Sequence, residues 1–139
     1  MRMAYDGLAA AKKTLAENVF IRSHGMELVR LDAEECVGKM PFLTEHKNHL
    51  GHMHGGVSFA FADVIAGTLA HASGRAMTTT GGEIHYLRGI KDIDEILCTA
   101  RVIKRGKTLS VFEARITDVS GERLFATGIF TYYALDYTL

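Results

Sequence analysis

The sequence has no tryptophan, a single proline and only two cysteines among its 139 residues. Cys36 and Cys98 lie far apart and form no CxxC motif, which excludes a disulfide-stapled scaffold as the basis of the fold. We therefore expect reduced thiols and a cytoplasmic location. The lone proline, Pro41, occurs where a strand edge is expected.

An excess of charge of either sign is also absent, since 16 basic residues balance 16 acidic ones. This balance argues against a nucleic-acid partner, and no block of like charge forms a membrane-binding tail. No uncharged apolar stretch reaches the roughly 18 residues of a membrane span, because Asp63 divides the best candidate. Near the N-terminus, Asp6, Lys12 and Lys13 interrupt any apolar core of a secretory signal.

The length of the chain predicts one domain over residues 1–139. Such a domain buries a real core, yet it is short enough that a deep active site would need a neighbouring subunit. Apolar residues at spacings of three and four predict an N-terminal helix over about 6–19 that covers the rest. These residues are Leu8, Ala11, Leu15 and Val19.

The rest of the chain changes its periodicity twice. Residues 26–42 form short apolar runs broken at 32–35, which predicts two strands and a turn. Over about 55–72 every face of a helical pattern is apolar or small, so a buried central helix is predicted. Period-two alternation then predicts four long strands in hairpin succession. They cover 77–87, 96–104, 108–118 and 123–133. Together these elements predict an α+β fold with an antiparallel β-sheet wrapped around a long central α-helix.

Asp63 stands alone among the apolar and small residues of the predicted central helix. Burying an ionised carboxylate without a partner costs several kcal/mol, so such a residue is tolerated mainly where it is used. The helix follows the segment 48–56, Asn-His-Leu-Gly-His-Met-His-Gly-Gly. This combination makes Asp63 the first candidate for a functional residue.

Gly55 and Gly56 would lie at the helix start, where free N–H groups and the positive end of the dipole bind anions. The side-chain N–H of Asn48 can complete a two-donor oxyanion hole, in which each donor is typically worth about 3 kcal/mol of barrier. Asp63 would lie about 12 Å from Gly55 along the axis and about 80° around it. One chain alone therefore does not bring them together, whereas a dimer with antiparallel helices would.

The spaced motif Asn48-x-x-Gly51-x-x-His54-Gly55-Gly56, followed after six residues by Asp63, resembles the signature of hotdog-fold acyl-CoA thioesterases of the phenylacetate-pathway (PaaI) type. The resemblance extends from about Met26 to Tyr133. It implies a long helix inside a curled sheet, dimers or tetramers, and active sites at the dimer interface.

The resemblance also implies roles for residues of this chain. Asp63 would be the general base or the nucleophile, the Gly55 N–H would polarise the thioester carbonyl, and Asn48 would lie beside the water or the carbonyl. His54 would orient the helix start, and Thr79 would position the water, although Thr78 and Thr80 are neighbouring candidates. A separate turn, comprising Arg105, Gly106 and Lys107, would bind the phosphates of coenzyme A. Coenzyme A would be part of the substrate, and the scheme needs no cofactor or metal.

Other interpretations of these residues remain open. Asn48 is also typical of a turn cap, and Arg105 and Lys107 of a solvated hairpin tip. Four histidines between 46 and 54 match no established zinc spacing, which favours a solvated loop with one site histidine, His54.

The alternative functions are a non-catalytic acyl-CoA-binding sensor and, with less support, a hotdog hydratase or dehydratase. The dehydratase relatives pair a histidine with an acidic residue in a proline-containing loop, and the segment after Pro41 lacks that arrangement. A sensor would normally carry an added interaction segment, and the N-terminal helix is too short for one.

Overall fold

A six-stranded antiparallel sheet packs against one long helix, as the sequence predicts. The computed structural model describes residues 7–138. Its helices are α1 (Gly7–Glu17), α2 (Val19–Ser23) and α3 (Gly55–His71), with a single 3₁₀ turn at Thr44–His46. Its strands are β1 (Glu27–Leu31), β2 (Glu35–Pro41), β3 (Arg75–Tyr86), β4 (Glu95–Arg105), β5 (Leu109–Thr117) and β6 (Leu124–Thr138).

The N-terminal helical segment is broken, whereas the sequence predicted one helix over about 6–19. Helix α1 ends at Glu17, and the Asn18 side chain accepts a hydrogen bond from Ile21 N at 3.1 Å, which starts α2. Val19 therefore leaves the apolar stripe and is 67% exposed, while Leu15 stays buried against the core. Asp6, the first residue of the predicted helix, lies outside the described residues.

The strand order is β1-β2-β4-β5-β6-β3. The predicted hairpin succession is correct for β4, β5 and β6 but wrong for β3 and β4, which lie at separate places in the sheet. Strand β3 instead pairs with β6, and β4 pairs with β2. Alternation identifies a strand and its buried face, but it fits any antiparallel neighbour and does not choose the partner.

Helix α3 lies across the sheet and packs against strands β2 to β6. Phe61, Ile65 and Leu69 are fully buried on its sheet-facing side. Gly56, Ala60 and Asp63 lie on a side that is exposed or only half-buried. The helix is therefore buried on one face, and Asp63 lies at the border of that face.

Both cysteines are free thiols inside the core. Burial, followed by the charge of Asp32, raises the pKa of the Cys36 thiol to about 12. Within residues 7–138, no helix has the length and apolar character needed to cross a membrane.

Candidate active site

The Asp63 carboxylate has two hydroxyl partners, so it is not the unpartnered charge that the sequence indicated. Thr79 Oγ1 donates to Asp63 Oδ1 at 2.8 Å, and the Tyr132 hydroxyl lies 2.8 Å from the same oxygen. Asp63 is half-buried rather than buried. Hydroxyl donors replace part of the lost hydration, which explains how the helix accommodates the charge.

Thr79 and Tyr132 reach the same oxygen because they are directly opposite each other on the paired strands β3 and β6. The pairing is irregular between Thr79 and Gly81, and such irregularities commonly re-aim side chains beside functional sites. Burial, together with the Asp63 charge, raises the pKa of Tyr132, so its hydroxyl stays protonated and able to donate. Of the three threonines that the sequence offered, Thr79 is the one that contacts the carboxylate, while Thr80 donates to Thr131 O at 3.3 Å.

The start of α3 leaves one main-chain donor free. His54 is the N-cap, and its Nδ1 accepts from Gly56 N at 3.1 Å. The N–H of Gly55 makes no hydrogen bond to any residue between 7 and 138. Since the positive end of the helix dipole is at this point, Gly55 N–H is a ready donor for a negatively charged oxygen.

Tyr86 also contacts Gly55, at the carbonyl group of that residue. Its hydroxyl donates to the Gly55 carbonyl oxygen at 2.7 Å. A Cβ added at Gly55 would lie 3.1 Å from Tyr86 Cζ, so the close approach of this ring favours glycine. Burial raises the pKa of Tyr86 from its ordinary value.

Asn48 and Gly55 line one pocket of about 260 Å³, together with Ser58, Tyr86 and Arg88 among others. The Asn48 carboxamide oxygen accepts from Leu50 N at 2.9 Å and from His52 N at 3.1 Å, so Asn48 does cap a turn. Those bonds orient the amide but use only its oxygen. Its NH₂ group bonds to no residue in the described range and can serve as a second donor in the pocket.

Asp63 does not line this pocket. It lies eight residues along α3 from Gly55, which corresponds to about 12 Å. The structure thus brings Gly55, His54 and Asn48 together at the helix start, and Asp63 with Thr79 at mid-helix. Within one chain the two groups are separate, as the sequence predicted.

The Arg105 guanidinium turns inward to the C-terminus of α3. It donates to the main-chain oxygens of Leu69 and Ala33 at 3.1 Å and of Ala70 at 3.4 Å. It also lies over the Phe112 ring, 5.4 Å from the centroid. A cation at a helix C-terminus pairs with unsatisfied carbonyls and the negative end of the dipole. The phosphate contact of Arg105 stays a prediction, and most of its donors face the protein.

The other residues of that turn are more accessible. Gly106 N donates to Ser110 Oγ at 3.1 Å. The Lys107 side chain is exposed, and its ammonium contacts no acceptor within residues 7–138. Lys107 is therefore the cation of this turn that is available to a phosphate.

Two of the four histidines between 46 and 54, His46 and His54, have hydrogen-bond partners for their side chains. His46 is fully buried, so the expectation of an entirely solvated loop is wrong at this residue. Its Nδ1 accepts from Leu43 N at 3.1 Å, and its Nε2 lies 3.1 Å from His24 Nδ1. No cluster of three metal-binding side chains occurs in the part of the chain that the structure describes.

Two contacts at the site were not predicted from the sequence, those of Tyr132 and Tyr86. Tyr132 lies two residues after the buried Phe130 on β6, so both side chains face the same side of the sheet. An inward-facing tyrosine needs a partner for its hydroxyl, and this was the feature of the sequence that could have indicated the contact. Tyr86 gave no comparable signal, because its contact with Gly55 depends on how β3 crosses the helix start.

Comparison with solved structures places the fold among the hotdog thioesterases. The chain superposes on the Escherichia coli PaaI protein of the phenylacetic acid degradation operon with a TM-score of 0.85 and 20% identity, over 94% of this chain and 98% of that one. Thioesterase superfamily member 2 of zebra fish gives a TM-score of 0.82 and 27% identity, over 92% and 97% of the two chains.

The family of the chain is shown by its sequence. The family model of the thioesterase superfamily matches residues 50–125, more than half of the 139 residues. The chain therefore belongs to the thioesterase superfamily, whose chemistry is thioester hydrolysis. Mouse acyl-coenzyme A thioesterase 13 is 29% identical over 103 residues, which are 73% of this chain and 74% of that protein.

Proposed function

We propose that this chain hydrolyses an aryl- or medium-chain acyl-CoA to free coenzyme A and a carboxylic acid. The name of the mouse relative supports the acyl-CoA part of this proposal. The observation that carries the chemistry is the Gly55 N–H, a donor without a partner in residues 7–138 at the positive end of α3. A helix start of this kind suits the oxyanion that forms when a thioester carbonyl is attacked.

In the proposed reaction the thioester carbonyl oxygen accepts hydrogen bonds from Gly55 N–H and from the Asn48 amide. Asp63 either takes a proton from a water molecule that attacks the carbonyl carbon, or attacks that carbon itself. The C–S bond then breaks, and the coenzyme A sulfur leaves as a thiolate and is protonated. If Asp63 is the nucleophile, the acyl group stays on its carboxylate as a mixed anhydride, which water then hydrolyses to release the acid and restore Asp63. Thr79 holds the carboxylate, and His54 fixes the helix start through its bond to Gly56 N.

The separation of Asp63 from Gly55 leads us to propose a site shared between two copies of the chain. Strand β3 lies at the end of the sheet, and its residues 78–82 are all exposed. An exposed, uncharged edge of this kind is a template for pairing with another strand. Pairing two β3 edges would place Asp63, which contacts Thr79 on that strand, close to the neighbouring subunit. A homodimer is the minimal assembly, and a tetramer would keep the same pair.

The remaining parts of the proposal concern the coenzyme A phosphates, the need for a cofactor, and the partners and location of the protein. Lys107 and Gly106, with Arg105 behind them, form the turn that we assign to the coenzyme A phosphates. The scheme uses no metal or cofactor, involves no nucleic acid, and fits a cytoplasmic enzyme with acyl-CoA as its partner.

The test is release of free thiol from a panel of aryl-, short-, medium- and long-chain acyl-CoAs. We expect turnover of one class, and we expect Asp63→Asn to lower kcat by about 10²- to 10⁴-fold, the usual contribution of a general base. The carboxamide oxygen introduced by this substitution can still accept from both hydroxyls, so the melting temperature of the variant should stay close to wild type. Asp136→Asn, which replaces an exposed carboxylate on β6, is the matched control and should keep full activity.

Two results would contradict the proposal. Thiol release that persists in Asp63→Asn would remove Asp63 from the reaction. Tight binding of an acyl-CoA without any thiol release would support the non-catalytic sensor instead.

A further inference from the structure

We propose that Tyr132 is a positioning residue for Asp63: its hydroxyl, together with that of Thr79, holds Oδ1 of the carboxylate and leaves Oδ2 for the substrate. This inference rests on the proposed role of Asp63. It adds a residue that neither the spaced motif nor the helix start contains, because Tyr132 lies on the last strand.

Both side-chain hydrogen bonds to the Asp63 carboxylate are made to the same oxygen, Oδ1. Tyr132 is 2% exposed, and its hydroxyl lies 2.8 Å from Asp63 Oδ1. Thr79 Oγ1 approaches the same oxygen at 2.8 Å. Oδ2 accepts no hydrogen bond from the described residues. Two donors on Oδ1 restrict rotation of the carboxylate and direct the lone pairs of Oδ2 to where a water or a carbonyl carbon can lie.

Tyr132 also has a second acceptor within reach, the main-chain oxygen of Asp63 at 2.8 Å. A hydroxyl has one proton, and an ionised carboxylate is a stronger acceptor than a carbonyl. The proton therefore goes to Oδ1 while Asp63 is ionised. When Asp63 takes up a proton during turnover, the hydroxyl can turn to the main-chain oxygen, so no buried donor is left unsatisfied.

The tyrosine ring is held in place on both sides. It packs edge-on against Phe112, with centroids 5.6 Å apart and an interplanar angle of 71°. On the helix side it lies beside Gly67, where an added Cβ would be 3.5 Å from its Cε2. A ring fixed in this way keeps its hydroxyl at one position, which is the requirement for a positioning residue.

Tyr132→Phe removes the hydroxyl and keeps the ring. Loss of a hydrogen bond to a charged group should lower kcat by about 10- to 100-fold with little change in KM. If the hydroxyl served only packing, its removal would lower stability without this selective loss of kcat. Tyr133→Phe is the matched control: it is the next residue on β6, its side chain is 44% exposed, and it should behave as wild type.

A second measurement separates this inference from the proposed function. The ¹³C chemical shift of the Asp63 carboxyl carbon, measured at one fixed pH, reports the hydrogen bonds to the carboxylate without any substrate. We expect this chemical shift to change in Tyr132→Phe and to stay the same in Tyr133→Phe. Thr79→Val removes the other donor and should act in the same direction, which keeps the test available if Tyr132→Phe folds poorly.

A Tyr132→Phe protein with a lower melting temperature but a wild-type kcat and a wild-type Asp63 chemical shift would overturn the inference and leave Tyr132 a structural role only. If instead the wild-type protein releases no thiol from any acyl-CoA, the proposed function fails. In that case Tyr132 has no reaction to serve, and a changed chemical shift of Asp63 would show only that Tyr132 bonds the carboxylate.

Discussion

The Tyr86 hydroxyl donates to the Gly55 carbonyl oxygen at 2.7 Å, and its ring carbon Cζ lies 3.1 Å from where a Cβ at position 55 would be. One peptide unit at the start of α3 is thus held by a side chain of β3, while the N–H of Gly55 stays available. The position of that N–H is the feature on which the proposed chemistry depends, so it leads to the first prediction.

Two substitutions at position 55 distinguish the effect of losing the N–H from the effect of adding a side chain. Gly55→Ala and Gly55→Pro add a similar Cβ against Tyr86, which is 54% exposed and can move slightly. Only proline removes the N–H, and proline is well tolerated at the first position of a helix. The preceding residue, His54, has the extended ψ of 134° that a following proline requires. We expect kcat of Gly55→Pro to be about 10²- to 10³-fold below that of Gly55→Ala, the value of one oxyanion donor. Equal kcat values in the two variants would exclude the Gly55 N–H from catalysis.

We expect Arg105 to contribute to the stability of the fold and Lys107 to contribute to the binding of acyl-CoA. Arg105→Met leaves the carbonyls at the end of α3 without their donor and should lower the unfolding free energy by about 2 kcal/mol. Lys107→Met should leave stability unchanged but raise KM for acyl-CoA and weaken its dependence on salt, because an exposed cation on a phosphate is screened by salt. Denaturant unfolding and steady-state kinetics on both variants test this pair. A raised KM in a fully stable Arg105→Met would instead support a direct phosphate contact by Arg105.

His46 should make stability depend on pH. Its Nδ1 accepts from Leu43 N, so protonation would break that bond, and burial followed by the His24 charge lowers its pKa below 6.5. Between that lowered value and about 6.5 the unfolded chain binds more protons than the folded one, so the unfolding free energy falls as pH falls below about 6.5. In His46→Asn this part of the pH dependence should be lost, whereas it should remain in His49→Asn, an exposed residue of the same loop. An unchanged slope in His46→Asn would show that another group is responsible.

The sequence predicts those parts of the molecule that depend on local spacing. The start of α3 at Gly55 and the alternation of each strand are properties of neighbouring residues, and the structure has both. The apolar pattern around Asp63 is also local, but it does not reveal the two hydroxyl partners of the carboxylate. The pairing of β3 with β6 is not local, and therefore the contact of Tyr132 with Asp63 was not predicted either.

Two further differences between the prediction and the structure also arise from contacts that are not local in sequence. Arg105 at a hairpin tip is typical of a solvated or ligand-binding cation, but its side chain donates to the main-chain oxygen of Leu69 at the end of α3. His46, in a polar and histidine-rich segment, is nevertheless buried, and His24 and Leu43 supply hydrogen-bond partners for both of its ring nitrogens. In each case the deciding partner is distant in sequence or depends on loop geometry.

Complementation between two inactive variants tests the shared site most directly. Asp63→Asn lacks the carboxylate and Gly55→Pro lacks the oxyanion donor, so each assembly alone should release almost no thiol from acyl-CoA. If the two residues come from different subunits, a mixed dimer has one intact site, and an equal mixture after subunit exchange should regain about a quarter of wild-type activity. If one chain supplied both residues, the mixture would stay as inactive as its components, and that result would contradict the account.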